Sequence, residues 1–160
     1  MSVLKNYNSE AIRKPRIREV KQIHSLINSY AKQGLMLPRS LSELYESIRD
    51  FWVAVKNKKV VGCVALHIFW DNLAEIKCLA VFSSCQKQGI GTELVEKCLE
   101  DAKYFGVKDV FTLTYRPEFF KRFGFKRIQK EKLPHKIWID CMRCPEFPKC
   151  NEVALIWTGG

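Results

Sequence analysis

Val20, Ile23, Ile27 and Ala31 recur at helical spacing, and Gly34 ends the helix they predict. Ahead of it, Arg16-Ile17-Arg18 alternates as a short edge strand does, after a loosely patterned lead-in over residues 1–14. Pro38-Arg39-Ser40 opens a second helix, with Ser40 or Ser42 as its cap and Leu41, Leu44, Tyr45 and Ile48 turned inward. The pattern then changes to that of strands. Phe51 to Val55 and Val60 to Phe69, joined by the polar residues 56–59, predict a hairpin, and Ala74 to Phe82 predicts a further strand. A glycine-bearing turn from Gln86 to Gly91 leads into Leu94, Val95, Cys98, Leu99 and Ala102, again at helical spacing, with Gly106 as the stop. Asp109 to Thr114 reads as a strand, Pro117 to Arg122 as a short helix, and Phe125 to Ile128 and Val153 to Trp157 as two more strands. Residues 133–151 carry Pro, Cys and His without a period, and there is no internal repeat or low-complexity tract. Helices interleaved with a run of central strands predict an α/β sheet covered on both faces.

Length and composition narrow the class. At 160 residues, 47% of them hydrophobic and 28% charged, the chain reads as one domain over 1–160 and neither a disordered nor a fibrous sequence. The longest apolar stretch, Val60 to Trp70, is about half a membrane span and is interrupted by His67. No charged-then-apolar leader precedes it, so the expectation is a cytoplasmic protein that does not enter a membrane. Seven cysteines, three of them between 141 and 150, do not form the even framework of a secreted disulfide scaffold. The net charge of +10 favours an anionic partner, and nucleic acid, a membrane surface and a polyphosphate all qualify.

The turn at Gln86-Lys87-Gln88-Gly89-Ile90-Gly91-Thr92 is the first sign of chemistry. It lies between an apolar strand and an amphipathic helix, so the unpaired amides of the first helical turn and the positive end of the helix dipole both face whatever approaches. Gly89 and Gly91 allow that approach to be close. A third glycine for a dinucleotide fingerprint is missing, as is the Gly-Lys-Ser/Thr ending of a Walker loop. Taken alone, the turn fits a ligand-free strand-to-helix connection as well as a phosphate site.

Gln-x-x-Gly-x-Gly between strand and helix, with Phe119-Phe120-Lys121-Arg122-Phe123-Gly124-Phe125 downstream, resembles the GNAT acetyltransferases over residues 15 to about 130. The resemblance implies a central mixed, mostly antiparallel sheet with helices on both faces. It also implies acetyl-CoA as co-substrate, with the pyrophosphate on the amides of Gln86, Lys87, Gln88, Gly89, Ile90, Gly91 and Thr92. Pantetheine would lie along Leu79, Ala80 and Val81, meeting the backbone of Leu79 and Val81. Four further blocks, Gly34-Leu35-Met36-Leu37-Pro38-Arg39-Ser40, Ile48-Arg49-Asp50-Phe51, Gly62-Cys63-Val64-Ala65-Leu66 and Ala74-Glu75-Ile76-Lys77-Cys78-Leu79-Ala80-Val81, resemble in order the acetyltransferase domain of the N-acetylglutamate synthases. That likeness implies a short, stand-alone enzyme moving acetyl to the α-amino group of L-glutamate, in the direction of arginine biosynthesis. A homodimer is common among such proteins.

An ammonium nucleophile must lose a proton before it attacks a thioester, so a carboxylate base is useful. Glu75, on the central strand beside the expected thioester, is the candidate, and the resemblance points to the same position; the bland reading is a solvated carboxylate at a strand start. Arg39 and Ser40 occupy the pair that binds a substrate carboxylate in the resembling family, and the planar fork of Arg suits that task. Ser40 also reads simply as a helix cap. Lys136, Arg143 and Lys149 are candidates for a second carboxylate contact or ordinary surface charges, with Arg143 the substrate-binding candidate among them. The backbone near Cys78 and Leu79 is the expected oxyanion donor. Cys78 itself, inside an apolar strand, reads as a small hydrophobe rather than a nucleophile, which favours direct transfer in a ternary complex. Phe120 stands where many GNAT enzymes have a proton-donating Tyr, leaving Tyr115, and more weakly Thr114, as the acid for the leaving thiolate.

His135, Cys141, Cys144 and Cys150 follow a His-x5-Cys-x2-Cys-x5-Cys spacing that suits a structural zinc ion, or else free thiols in a loop. Two alternatives to the glutamate reading stay open. One is a GNAT acting on glutamine, another amino acid or a protein lysine. The other is a non-catalytic module binding acetyl-CoA or nucleic acid, supported by Lys121, Arg122, Lys126 and Arg127 but lacking exposed interleaved aromatics.

Overall fold

The computed structural model describes residues 11–133 and 152–159. One seven-stranded sheet runs through them in the order β1-β2-β3-β4-β5-β7-β6. Its strands are β1 (Ala11–Arg13), β2 (Phe51–Lys56), β3 (Lys59–Trp70), β4 (Leu73–Val81), β5 (Asp109–Thr114), β6 (Lys126–Ile128) and β7 (Val153–Thr158). Every neighbouring pair is antiparallel except β4 and β5, so the sheet is mixed and mostly antiparallel, as the resemblance implied. The β2–β3 connection is a two-residue hairpin at Asn57 and Lys58, both at positive φ, which matches the twist of the strands they join.

Helices α1 (Val20–Ala31) and α2 (Leu41–Glu46) cover one face, burying Ile23, Ile27 and Leu44 against Phe51, Val53, Ala65 and Ala80. Helices α3 (Ile90–Phe105) and α4 (Pro117–Lys121) cover the other. There Leu94, Val95, Cys98 and Phe120 meet Val64, Ile76 and Val110. Gly62 lets α3 lie close on β3. A Cβ at that position would stand 3.2 Å from both Ile90 Cγ2 and Leu94 Cδ1, tighter than ordinary packing permits. Phe120 and Phe125 are core residues, so the basic groups around them do not belong to an exposed aromatic platform. No helix among the described residues is long and apolar enough to cross a membrane.

The N-terminal strand differs from the expectation. The edge strand is Ala11–Arg13, paired with β2, and Ile17–Glu19 is a 3-10 turn rather than part of a strand over 16–18. Glu19 is the cause. Its buried carboxylate accepts from Arg13 Nη1 and Nη2 at 2.9 and 2.6 Å and from the Arg16 amide at 2.7 Å, which pulls the chain round after Pro15 and leaves Ile17 exposed. The Arg13 hydrogen bonds, ahead of the opposing cost of burial, hold the Glu19 carboxyl below its ordinary value of 4.5. A carboxyl lowered on folding stabilises the fold fully above its unfolded value and loses that contribution as the pH falls through the folded one. Glu19→Gln should therefore cost about 2 kcal/mol at neutral pH, Arg13 being partly exposed, and thermal melting should show the gap to wild type closing below pH 4.5.

Candidate active site

Among the described residues, the only parallel pairing is also the shortest central one in the sheet. β4 and β5 are joined from Leu73–Asp109 to Glu75–Phe111 and no further. Thr112 Oγ1 then donates to the Ile76 carbonyl at 2.9 Å, after which β5 continues with β7 and β4 continues with β3. The strands part, and a cleft of about 1220 Å³ opens between them. Glu75 to Val81 line one wall and Thr112 to Arg116 the other, with the start of α3 at one end and the segment after α1 beside it.

Within that wall β4 carries a bulge. Ala65 faces Lys77 and Cys63 faces Ala80, so Val64 alone is opposite both Cys78 and Leu79. Cys78 takes a φ of +59°, a conformation that costs a non-glycine residue about 1 kcal/mol or more. The extra residue reverses the alternation. Ala74 and Ile76 before it, and Leu79 and Val81 after it, all join the core under α3, while Cys78 and Ala80 turn to the α1 face. Glu75 leaves the sheet on that same α1 face, 8% exposed and on the cleft. The bulge also interrupts the regular pairing register at 78 and 79, on the wall of the cleft.

Gly89 is the N-cap of α3 with φ +84°, and Lys87 before it is at +63°. The first backbone bond of the helix runs from the Glu93 amide to the Gly89 carbonyl, so the amides of Ile90, Gly91 and Thr92 have no acceptor within the helix, and all three residues line the cleft. Phe119 from α4 lies 3.5 Å from where a Gly91 Cβ would be, which closes the mouth on that side. Lys87, Arg116, Arg122 and Lys130 add positive charge around it.

Arg39 reaches the cleft from the segment before α2, its side chain 13% exposed and 3.7 Å from the more open Glu43. Its backbone is clamped by Asn28, whose amide donates to the Arg39 carbonyl at 3.1 Å and accepts from its amide at 3.3 Å. Arg39 also stands beside Cys78. Burial pushes the Cys78 thiol up despite the pull of the Arg39 and Lys77 charges, which keeps the thiolate scarce at neutral pH. Cys63 is raised further, again by burial, and gives its thiol hydrogen to the Cys78 carbonyl at 3.3 Å.

The structure thus gathers Arg39, Glu75, Cys78, Leu79, Ala80, Val81, Tyr115 and most of the glycine turn around one cleft. The side chains of this set differ in their placement. Ser40 does not line the cleft but caps α2, accepting from the Glu43 amide at 3.1 Å, which also settles the cap against Ser42. Gln88 is exposed and is not among the residues that line the cleft. Gln86 lines the cleft, but its side chain is committed within the protein, donating to Tyr30 Oη at 2.6 Å and to the Val81 carbonyl at 3.2 Å. Tyr30 also donates to that carbonyl, so the Val81 oxygen is already engaged within the protein. Neither Tyr30 nor Asn28 stands out in the sequence; each acts through a contact many residues away. Arg143, Lys136, Lys149 and the quartet His135, Cys141, Cys144 and Cys150 lie outside the described residues. Among the described residues no group of three or more His, Cys, Asp or Glu is placed to hold a metal.

These features coincide with those of known proteins. A family model described as an acetyltransferase (GNAT) domain matches residues 47–127. An uncharacterized N-acetyltransferase of Chlorobaculum tepidum is 42% identical over 147 residues, covering 92% of this chain and 95% of its own. An amino-acid acetyltransferase of Mycobacterium tuberculosis is 36% identical over 135 residues, 82% of this chain and 77% of that protein. The crystal structure of N-acetylglutamate synthase from Neisseria gonorrhoeae, complexed with coenzyme A and N-acetyl-glutamate, matches at a TM-score of 0.85 and 27% identity, covering 94% of this chain and 35% of the larger one. A cleft between parting strands, a bulge at its wall and a helix start at its mouth therefore come with a matching sequence, and the chain belongs to the GNAT acetyltransferase family of acyltransferase enzymes.

Proposed function

We propose that this protein transfers acetyl from acetyl-CoA to the α-amino group of L-glutamate. The observation that carries the reading is the meeting of three groups on one cleft: the Ile90–Thr92 amides, the Glu75 carboxylate and the Arg39 guanidinium. The amides and the surrounding Lys87, Arg116 and Arg122 suit a diphosphate. The open edge of β4 suits an extended pantetheine arm, whose thioester then lies beside the bulge. Arg39 suits an acceptor carboxylate, and the names of the Mycobacterium and Neisseria relatives support an amino-acid acceptor.

In this reading Glu75 takes a proton from the acceptor ammonium, directly or through one water, and the freed amine attacks the thioester carbonyl. The backbone amide at Cys78 or Leu79, at the bulge, donates to the oxyanion that forms. The intermediate collapses, the C–S bond breaks, and CoA leaves as a thiolate that takes its proton from Tyr115, a residue of the far wall. The raised Cys78 thiol disfavours an acetyl-enzyme, so transfer is direct within a ternary complex.

The test is an acceptor screen with acetyl-CoA, following release of the free CoA thiol against each amino acid. L-Glutamate should give the highest kcat/KM. A higher value for glutamine, another amino acid or a lysine peptide would reassign the acceptor, and no release with any of them would remove the proposal.

A further inference from the structure

A base that takes one proton per turnover must also be rid of it, and Glu75 is only 8% exposed, on the cleft that the proposed substrates fill. Its direct partner across the β3–β4 ladder is His67. Side chains opposed in this way leave the same face, with Cβ atoms about 4.5–5.5 Å apart. On its other side, His67 Nδ1 lies 2.9 Å from Asp50 Oδ2, in the 3-10 turn that leads into β2. A carboxylate on β4, an imidazole on β3 and a second carboxylate in the turn before β2 therefore stand in one row.

Exposure rises along that row away from the cleft. Glu75 lines the cleft at 8%, whereas the side chains of His67 and Asp50 are 39% and 31% exposed and lie outside it. Phe69, two residues along β3, sets its ring edge-on to the imidazole at 4.8 Å and packs against Phe111, the β5 partner of Glu75. Those rings keep one flank of the row apolar. Charged residues set beside His67 include Asp50 from the turn and Glu75 from β4, with Lys77 diagonally beyond, opposite Ala65.

We propose that His67, oriented by Asp50, relays to solvent the proton that Glu75 removes from the acceptor. The proposal rests on Glu75 being the base. Asp50 accepts from Nδ1–H and so directs the lone pair to Nε2. The Glu75 O–H bond breaks as an N–H bond forms at Nε2, giving an imidazolium between two carboxylates and restoring the Glu75 carboxylate. Nε2 then gives its proton to water. Nothing is oxidised or reduced, and His67 acts only through Glu75, as a positioning and relay residue rather than one that meets substrate.

The Asp50–His67 pair would also serve as a plain tie between the turn and β3, and the experiment separates the two roles. His67→Gln, His67→Ala and Glu75→Gln are compared by steady-state thiol release with saturating acetyl-CoA and the best acceptor, with and without added imidazole. The relay predicts that His67→Gln lowers kcat about 10²-fold with both KM values within about twofold. It also predicts that imidazole restores His67→Ala by about tenfold or more, in proportion to its free-base form. Wild-type kcat in both His67 variants while Glu75→Gln is inactive overturns the relay and leaves the base standing. A loss that imidazole does not restore overturns it too, and marks the pair as structural. Full activity in Glu75→Gln removes the base, and the relay with it.

Discussion

Glu75→Gln should lower kcat about 10³-fold while leaving the affinity for CoA within about twofold. Gln has the shape of Glu and keeps the packing against Phe111 and the place opposite His67, so the loss is chemical rather than structural. In the proposed reading CoA affinity, by contrast, is set at the start of α3 and along the outer part of β4, several residues from position 75. The pH dependence carries the sharper signature. Without a base, only acceptor already in the free-amine form reacts, so the residual kcat/KM should climb about tenfold per pH unit until the amine value near ~9–10 is reached. Wild type should rise less steeply over the same range. Thiol-release kinetics across pH give the first result and calorimetry with CoA the second; a variant with wild-type turnover would show that another group takes the proton.

Most of what builds the cleft is periodic in the sequence, and what shapes it is not. The strands 51–56, 109–114 and 153–158 and the helix from 90 to 105 follow from spacing and from Gly89 and Gly106, both at positive φ where glycine is the natural choice. The parting of β4 from β5 has no such mark. It depends on a crossover pairing that ends at Glu75–Phe111 because each strand follows a different neighbour. The bulge is equally silent: Lys77-Cys78-Leu79 contains no glycine or proline, and Cys78 is held at positive φ by the ladders around it rather than by its own preference. Arg16-Ile17-Arg18 misled for the same reason in reverse. Its alternation is real, but the capture of the Glu19 carboxylate by Arg13 outweighs it. Ser40 and Gln88 stand beside functional positions, yet one is spent on capping α2 and the other faces solvent.

The second large effect is expected at Arg39. Arg39→Ala should raise the KM for the acceptor about 10²-fold, with kcat changed by no more than a few-fold and the KM for acetyl-CoA unchanged. A guanidinium gives a carboxylate two charge-assisted hydrogen bonds, each contributing about 1.5–3 kcal/mol, and the loss is partly relieved by water entering the cleft. About 3 kcal/mol then remains, near two powers of ten in affinity. Because the carboxylate does not change during acetyl transfer, that interaction is present equally in ground and transition states and belongs in KM rather than kcat. The backbone of residue 39 stays in place without its side chain, since Asn28 holds both its amide and its carbonyl and Ser40 caps the following helix. Arg39→Lys keeps the charge but not the fork, and should fall between, at about tenfold. An acceptor amine lacking a carboxylate should be nearly indifferent to either change. Equal losses for that amine and for glutamate, or a raised KM for acetyl-CoA, would instead place Arg39 among the groups that shape the cleft, and its interaction with the exposed Glu43 would then be the part of its surroundings that matters.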